Sequence, residues 1–238
     1  KPFTALPIFL TRGFYHSGMI RHKNSNITNV KDLEGKRVGV RSYTFTPGVW
    51  SRGILSTYHG LDLDSITWVL SGDEHVKEFK SPGNVIESET NDLYQMLSNG
   101  EVDAVIGAPP NGSNDIIPLF PNASSLDHDW YSKNNIYPIS HLLVVKNELL
   151  HEHPWLGADI IETFTRARST YLSGFVSTTK SKDNLDHSQM DFSKIVGNNP
   201  LNYNFSETRE TIRTFIDYNV SQNLIPEAPE PEDLFFFG

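Results

Sequence analysis

Between residues 36 and 60 the spacing of apolar positions changes once, and the change marks a strand, a loop and a helix. Val38 and Val40 alternate with less apolar neighbours, as on a half-buried strand. Thr46 followed by Pro47 reads as an N-cap and a first-turn proline. The helix they open is predicted over 47–59, with Gly60 as its C′ glycine. The loop Arg41–Thr46 then falls at the C-terminal end of a strand and at the positive end of a helix. In open α/β sheets small ligands bind in that crevice, and spare backbone N–H groups suit a carboxylate or a phosphate.

The same reading extends along the chain. Ala5–Phe9 is an apolar strand, and Ser17–Ile20 is a second apolar stretch. Val30–Leu33 forms one helical turn ending at Gly35. Ser65–Leu70 is a strand rich in β-branched and aromatic residues, and 71–90 is irregular. Asn91 caps a short helix carrying Leu93, Met96 and Leu97 on one face. Gly100 ends it, and Val102–Ile106 is a buried strand. Residues 107–138 read mostly as loop, with one apolar run, Ile116–Phe120. Ile139–Val145 is a strong strand interrupted by Ser140-His141. Pro154 opens a helix to about Leu172, whose Leu156, Ile160, Ile161, Phe164, Tyr171 and Leu172 keep a helical period. A polar loop covers 178–191, and a last helix spans about 206–223 with Ile212, Phe215 and Ile216 on one face. Strands alternating with helices define an α/β chain.

The 238 residues suffice for one large domain or two small ones, and 37% hydrophobic with 11% aromatic residues supports a packed core. A net charge of −9 without a basic block argues against nucleic-acid binding. No apolar run approaches the ~20 residues of a membrane span. The chain has no cysteine, which excludes disulfides, thiolate zinc sites and cysteine nucleophiles. Neither a glycine-rich phosphate loop nor a Gly-x-Ser-x-Gly elbow occurs, and no motif calls for a cofactor or a metal. The residues assign neither a metal-dependent nor a metal-free route. The expected location is cytoplasmic, or periplasmic or secreted if a signal precedes Lys1.

Two broad pieces, "DLEGKRVGV" and "NGEVDAVIGA", recur in type II periplasmic-binding-protein folds. More specific pieces are Arg12…His16-Ser17, Gly39-Val40-Arg41-Ser42-Tyr43…Thr46…Val49-Trp50-Ser51-Arg52-Gly53-Ile54-Leu55, Trp130-Tyr131, Pro138-Ile139-Ser140-His141 and Pro154-Trp155. Together with Thr211-Ile212-x-x-Phe215, Gln222-x-Leu224 and Glu232-Asp233-Leu234-Phe235, they resemble the 4,5-dihydroxyphthalate decarboxylase family over most of 5–238. Ser140-His141 stands where the family has Asn-His. The resemblance implies an α/β, two-lobed type II periplasmic-binding-protein-like fold with the ligand between lobes. Residues 1–22 with 139–238 form lobe 1, and 23–138 form lobe 2. It also implies a further N-terminal stretch, without which one lobe is incomplete.

Removing CO₂ from an electron-rich ring requires a proton for the ring carbon, a hold on the spectator carboxylate, and hydrogen bonds to the ring hydroxyls. Histidine suits the first task and the planar arginine fork the second. His16 and His141 are the candidate proton donors. Arg12, Ser17, Arg41, Ser42, Tyr43, Thr44, Thr46 and Arg52 are the candidate substrate contacts. Glu74 and His75 are the reserve acid or metal ligand. His151 and His153 flank Glu152 without sharing a helix face. Three functions follow: a decarboxylase of a dihydroxylated aromatic dicarboxylate, a non-catalytic solute-binding protein for a small carboxylate, or an inactive truncated homologue. In each active case the partner is a small aromatic carboxylate.

Overall fold

The computed structural model describes residues 2–74, 76, 78–177, 191–197 and 199–237. His75 and most of the polar loop 178–191 lie outside the described residues. In chain order the strands are β1 (Phe3–Arg12), β2 (Met19–His22), β3 (Arg37–Val40), β4 (Thr67–Leu70), β5 (Val85–Glu87), β6 (Ala104–Ile106), β7 (Ile116–Pro118) and β8 (Ile139–Lys146). The helices are α1 (Thr46–Thr57), α2 (Leu93–Ser98), α3 (Ala123–Asn134), α4 (Asn147–Glu152), α5 (Leu156–Ser177) and α6 (Phe205–Ser221). The chain divides into two compact units: Lys1–Gly13 with Asn134–Ile216 and Ala228–Gly238, and Phe14–Lys133 with Asp217–Glu227. Residues 14–22, grouped by sequence with 139–238, fall in the second unit because β2 pairs with β6 and β7. No helix among the described residues is long and apolar enough to cross a membrane.

In the first unit β1 and β8 form an antiparallel ladder with several register shifts. Leu6, Ile8 and Val145 pack against Leu156, Ile160, Ile161 and Phe164, the apolar face expected of α5. Tyr171 is the exception on that face and is exposed. Ala5 carries the edge further, bridging to Phe235 in the aromatic tail. Phe236 N–H donates to the Ala5 carbonyl at 2.8 Å.

The second unit is a six-stranded sheet in the order β5-β4-β3-β6-β2-β7. β5, β4, β3 and β6 are parallel, and β2 is antiparallel to both of its neighbours. Alternation along each strand sorts the core onto two faces. Met19, Val38, Val40, Trp68, Leu70, Ala104 and Ile106 meet Leu55 of α1 on one face. Ile20, Val69 and Val105 meet Met96 and Leu97 of α2 on the other. Gly39 lets α2 approach closely: a Cβ there would lie 3.2 Å from Leu93 Cδ2 and 3.1 Å from Val105 Cγ2.

Of the strands and helices named above, three are absent from the sequence reading. β5 has three residues, too few to carry periodicity, and among the described residues it pairs with β4 at the edge of the sheet. α3 buries only Asp127 and Trp130, too few positions to show an apolar stripe. α4 buries none of its residues. Two caps are also corrected. Asp92, not Asn91, caps α2, accepting from Tyr94 N–H and Gln95 N–H. Phe45, not Thr46, is the α1 N-cap, and no side chain bonds the first turn from that position.

Segment 217–227 is held on α1 by close packing. A Cβ on Gly53 would lie 2.1 Å from the Tyr218 ring, whose hydroxyl is 2.8 Å from Thr57 Oγ1. Helix propensity alone favours alanine over glycine by about 1 kcal/mol. Displacing a packed ring opposes this and typically costs roughly 1–3 kcal/mol. Gly53→Ala is therefore expected to lower the urea midpoint of unfolding, and an unchanged or raised midpoint would contradict this packing.

Candidate functional site

β3, β4 and β6 are parallel, and the sheet order reverses between β3 and β6. The chain leaves β3 toward β4 and β5, and β6 lies on the other side. Outside the carboxyl ends of strands at such a switch point is the usual ligand crevice of an open α/β sheet. Here Arg41 follows β3, Ser71, Gly72 and Asp73 follow β4, and Gly107 follows β6; they line a depression of about 540 Å³. Gly107 has φ +78°, and a Cβ there would come within 3.9 Å of the Gly48 nitrogen at the start of α1. Arg41 is exposed, with its guanidinium carbon 5.6 Å from the centre of the Phe45 ring.

The loop beside Arg41 holds a carboxylate of the chain itself. Tyr43 N–H and Thr44 N–H both donate to Glu74, the latter over 3.1 Å. Thr44 Oγ1–H donates to the same carboxylate at 2.6 Å. Three donors thus converge where the strand-loop-helix pattern predicts an anion. Ser42 is fully buried, and its Oγ has no hydrogen-bond partner among the described residues. Thr46 begins the helix half-buried.

Arg52 shapes this loop from beneath. It is fully buried, so it does not meet a ligand arriving from solvent, and the substrate contact expected of it is replaced by a structural one. Its Nε donates to Gln222 Oε1 at 2.7 Å and its Nη2 to the Tyr43 carbonyl at 2.6 Å. The guanidinium lies 3.9 Å from the Tyr43 ring centre. Burial lowers its pKa to about 10, and Tyr43 and Glu74 act against that fall.

His16 is placed elsewhere. It is fully buried, Nδ1 donates to Asp127 at 2.5 Å, and Nε2 is 3.0 Å from Nε2 of His59. His59 follows the C-terminal end of α1, a helix of 12 residues and so about 18 Å long. The His16 ring and the Thr44 donors therefore lie at opposite ends of one helix. Ser17 is exposed in the His16–Gly18 turn. Arg12 and His141 belong to the first unit, on neighbouring rungs of the β1–β8 ladder. Arg12 is buried, donating to the Tyr137 carbonyl at 2.5 Å, whereas His141 is exposed. Among the described residues no cluster of His, Asp or Glu is arranged to hold a metal ion. Asp127 and His59 were missed because α3 shows no stripe and His59 sits among helix-end signals.

Burial, and secondarily the charge of His16, pushes His59 from 6.5 to about 4. The unfolded chain then binds more protons than the folded one between those values, so stability is present above pH 6.5 and lost as pH falls toward 4. His59→Gln is expected to flatten the acid-side slope of the urea midpoint across that window. An unchanged slope would remove His59 as its source.

No family model matches the chain. Two curated proteins do, both named 4,5-dihydroxyphthalate decarboxylase. The one from Comamonas testosteroni is 28% identical over 253 residues, covering 99% of this chain and 76% of that protein. The one from Pseudomonas putida is 36% identical over 144 residues, covering 55% of this chain and 56% of that protein. Among solved structures, a periplasmic sulfonate-binding protein SsuA of a putative sulfonate ABC transporter from Methylobacillus flagellatus aligns with a TM-score of 0.56 at 10% identity, over 98% of this chain and 66% of that one. The periplasmic aliphatic sulphonate binding protein SsuA from Escherichia coli gives 0.51 at 13%, over 99% and 70%. The fold is thus that of the periplasmic solute-binding proteins, and the chain's curated homologues are named 4,5-dihydroxyphthalate decarboxylase.

Proposed function

We propose that the chain removes one carboxylate as CO₂ from an aromatic ortho-dicarboxylate bearing ring hydroxyls, of the 4,5-dihydroxyphthalate type. The observation that carries this reading is the three-donor carboxylate position at Tyr43 and Thr44, beside Arg41 and the switch-point depression. The names of the curated homologues supply the reaction type. In this reading the loop and Arg41 hold the spectator carboxylate, with Ser42 and Thr46 completing the loop. Electron density from the ring hydroxyls moves toward the carbon bearing the second carboxylate. That carbon takes a proton, the carbon–carbon bond breaks, and its electron pair restores the aromatic ring. The products are CO₂ and 3,4-dihydroxybenzoate.

His16 and His141 are both candidate donors; both nitrogens of His16 are engaged within the second unit, and the ring of His141 is exposed on the first. Arg12, buried against the Tyr137 carbonyl, and Ser17, beside His16, are not assigned to this carboxylate position. Likeness to binding proteins favours one alternative, capture of a small carboxylate without turnover. CO₂ release from 4,5-dihydroxyphthalate separates the two: binding of the diacid with no CO₂ selects the alternative.

Two sets of variants test the assignments. Arg41→Ala is expected to weaken diacid binding roughly ten- to a hundredfold, the equivalent of one charge-assisted hydrogen bond. A change within about threefold would place the carboxylate elsewhere. His→Gln at the true donor, His141 or His16, is expected to lower kcat by roughly 10²–10⁴-fold with little change in KM. His16→Gln is expected to lower the unfolding midpoint, since it leaves Asp127 buried without its donor. Loss of kcat in His16→Gln at unchanged stability would place the donor role at that end of α1.

A further inference from the structure

We infer that Glu74 is a resident occupant of the carboxylate site, and that a ligand carboxylate enters by displacing it. This rests on the reading that a carboxylate ligand binds at the Arg41–Thr46 loop. Glu74 is half-buried and takes the two backbone N–H groups and the hydroxyl that the loop offers. The shape of the loop has a separate support, because Arg52 Nη2 holds the Tyr43 carbonyl and Phe45 N–H reaches the Ser42 carbonyl at 3.4 Å. Removing the Glu74 carboxylate therefore leaves the donors presented rather than collapsed. Rotation about the side-chain torsions of Glu74 suffices to vacate them.

A second observation concerns the buried charge beneath the loop. Arg52 is fully buried, yet its Nη1 has no partner among the described residues. That nitrogen faces the first turn of α1, since a Cβ on Gly48 would lie 3.2 Å from it. Glu74 is the carboxylate acting on this buried charge from above. A ligand carboxylate on the Tyr43 and Thr44 donors would take over both duties, hydrogen bonding and charge compensation. A neutral ligand would do neither. Glu74 thus sets the entry requirement of the site: a group enters only if it replaces a carboxylate.

The competition is intramolecular, so it lowers apparent affinity without blocking binding. Phthalate, which has both carboxylates but no hydroxyls, serves as the probe, with catechol as the carboxylate-free control. By titration calorimetry Glu74→Gln is expected to bind phthalate roughly tenfold tighter than the unsubstituted chain, and catechol unchanged. Glu74→Asp keeps the charge but is one methylene too short to reach the donors, and is expected to tighten phthalate binding at least about threefold. Phthalate should also raise the melting temperature of either variant more than that of the unsubstituted chain. Equal or weaker phthalate binding by a folded Glu74→Gln overturns the inference. Tighter binding by Glu74→Gln with none by Glu74→Asp also overturns it, because repulsion without occupancy would then explain the gain. If Glu74→Gln does not fold, Glu74→Asp alone decides. Failure of the reaction reading is distinguishable: the phthalate differences would persist while 4,5-dihydroxyphthalate released no CO₂.

Discussion

The second unit depends on one buried guanidinium. Removing an arginine from water is costly unless its N–H groups find acceptors and its charge finds a counterpart. Arg52 meets the first demand at Nε and Nη2, through Gln222 and the Tyr43 carbonyl, and leaves Nη1 without a partner among the described residues. Gln222 in turn donates to the Val49 carbonyl at 2.9 Å, so loop 42–44, helix α1 and segment 217–227 share one network. The second demand involves Glu74 across the loop. Gly48 is part of the same constraint: a Cβ there would sit 3.0 Å from Val40 Cγ2 and 3.2 Å from the guanidinium. The loop donors hold Glu74, and the same carboxylate acts on the guanidinium beneath them.

Helix α1 then separates two charge environments. Its N-terminal end presents N–H groups and suits anions, and its C-terminal end suits cations. Glu74 lies at the first, and His16 and His59 lie at the second. Asp127 accepts from His16 there and orients its ring, whose Nε2 lies 3.0 Å from Nε2 of His59. At about 18 Å the helix is far longer than a benzene ring with two carboxylates. One such substrate cannot rest on Thr44 and meet His16 at once. The distance separates two residues that the sequence reading had placed together, and it leaves the Asp127–His16–His59 chain as a buried polar network that fixes one end of the unit.

What the sequence made legible follows from where its signals are local. Alternation at Val38–Val40 and the glycines at 35, 60 and 100, each at positive φ, mark real strand and turn positions because they depend on nearest neighbours. That the loop Arg41–Thr46 presents hydrogen-bond donors was legible for the same reason: strand end, loop and helix start are contiguous. Glu74 as its occupant was not, since it lies 30 residues beyond Thr44 in an irregular segment. Arg52 was legible as a motif residue but not as a buried one, because burial depends on Gln222, 170 residues away. Asp127 was hidden by a helix whose polar surface carries no stripe. Local pattern locates elements and their ends, and long-range partners decide which polar side chain faces inward.

The distinction between capture and turnover rests on what the site does for the second carboxylate. Holding both carboxylates equally well would stabilise the ground-state dianion and leave the barrier to CO₂ loss untouched. A site with one dedicated carboxylate position avoids that, because the leaving carboxylate then has no matching set of donors. The loop offers one such set, and the chain fills it with a single carboxylate of its own. That asymmetry suits a reaction in which one carboxylate is anchored and the other departs as a neutral molecule. A binding protein for a diacid would gain nothing from it, since its affinity would rise with every charge it matched, whereas a binding protein for a monocarboxylate needs just one such position. A single carboxylate position therefore argues against capture of a diacid, and CO₂ release is what separates turnover from capture of a monocarboxylate.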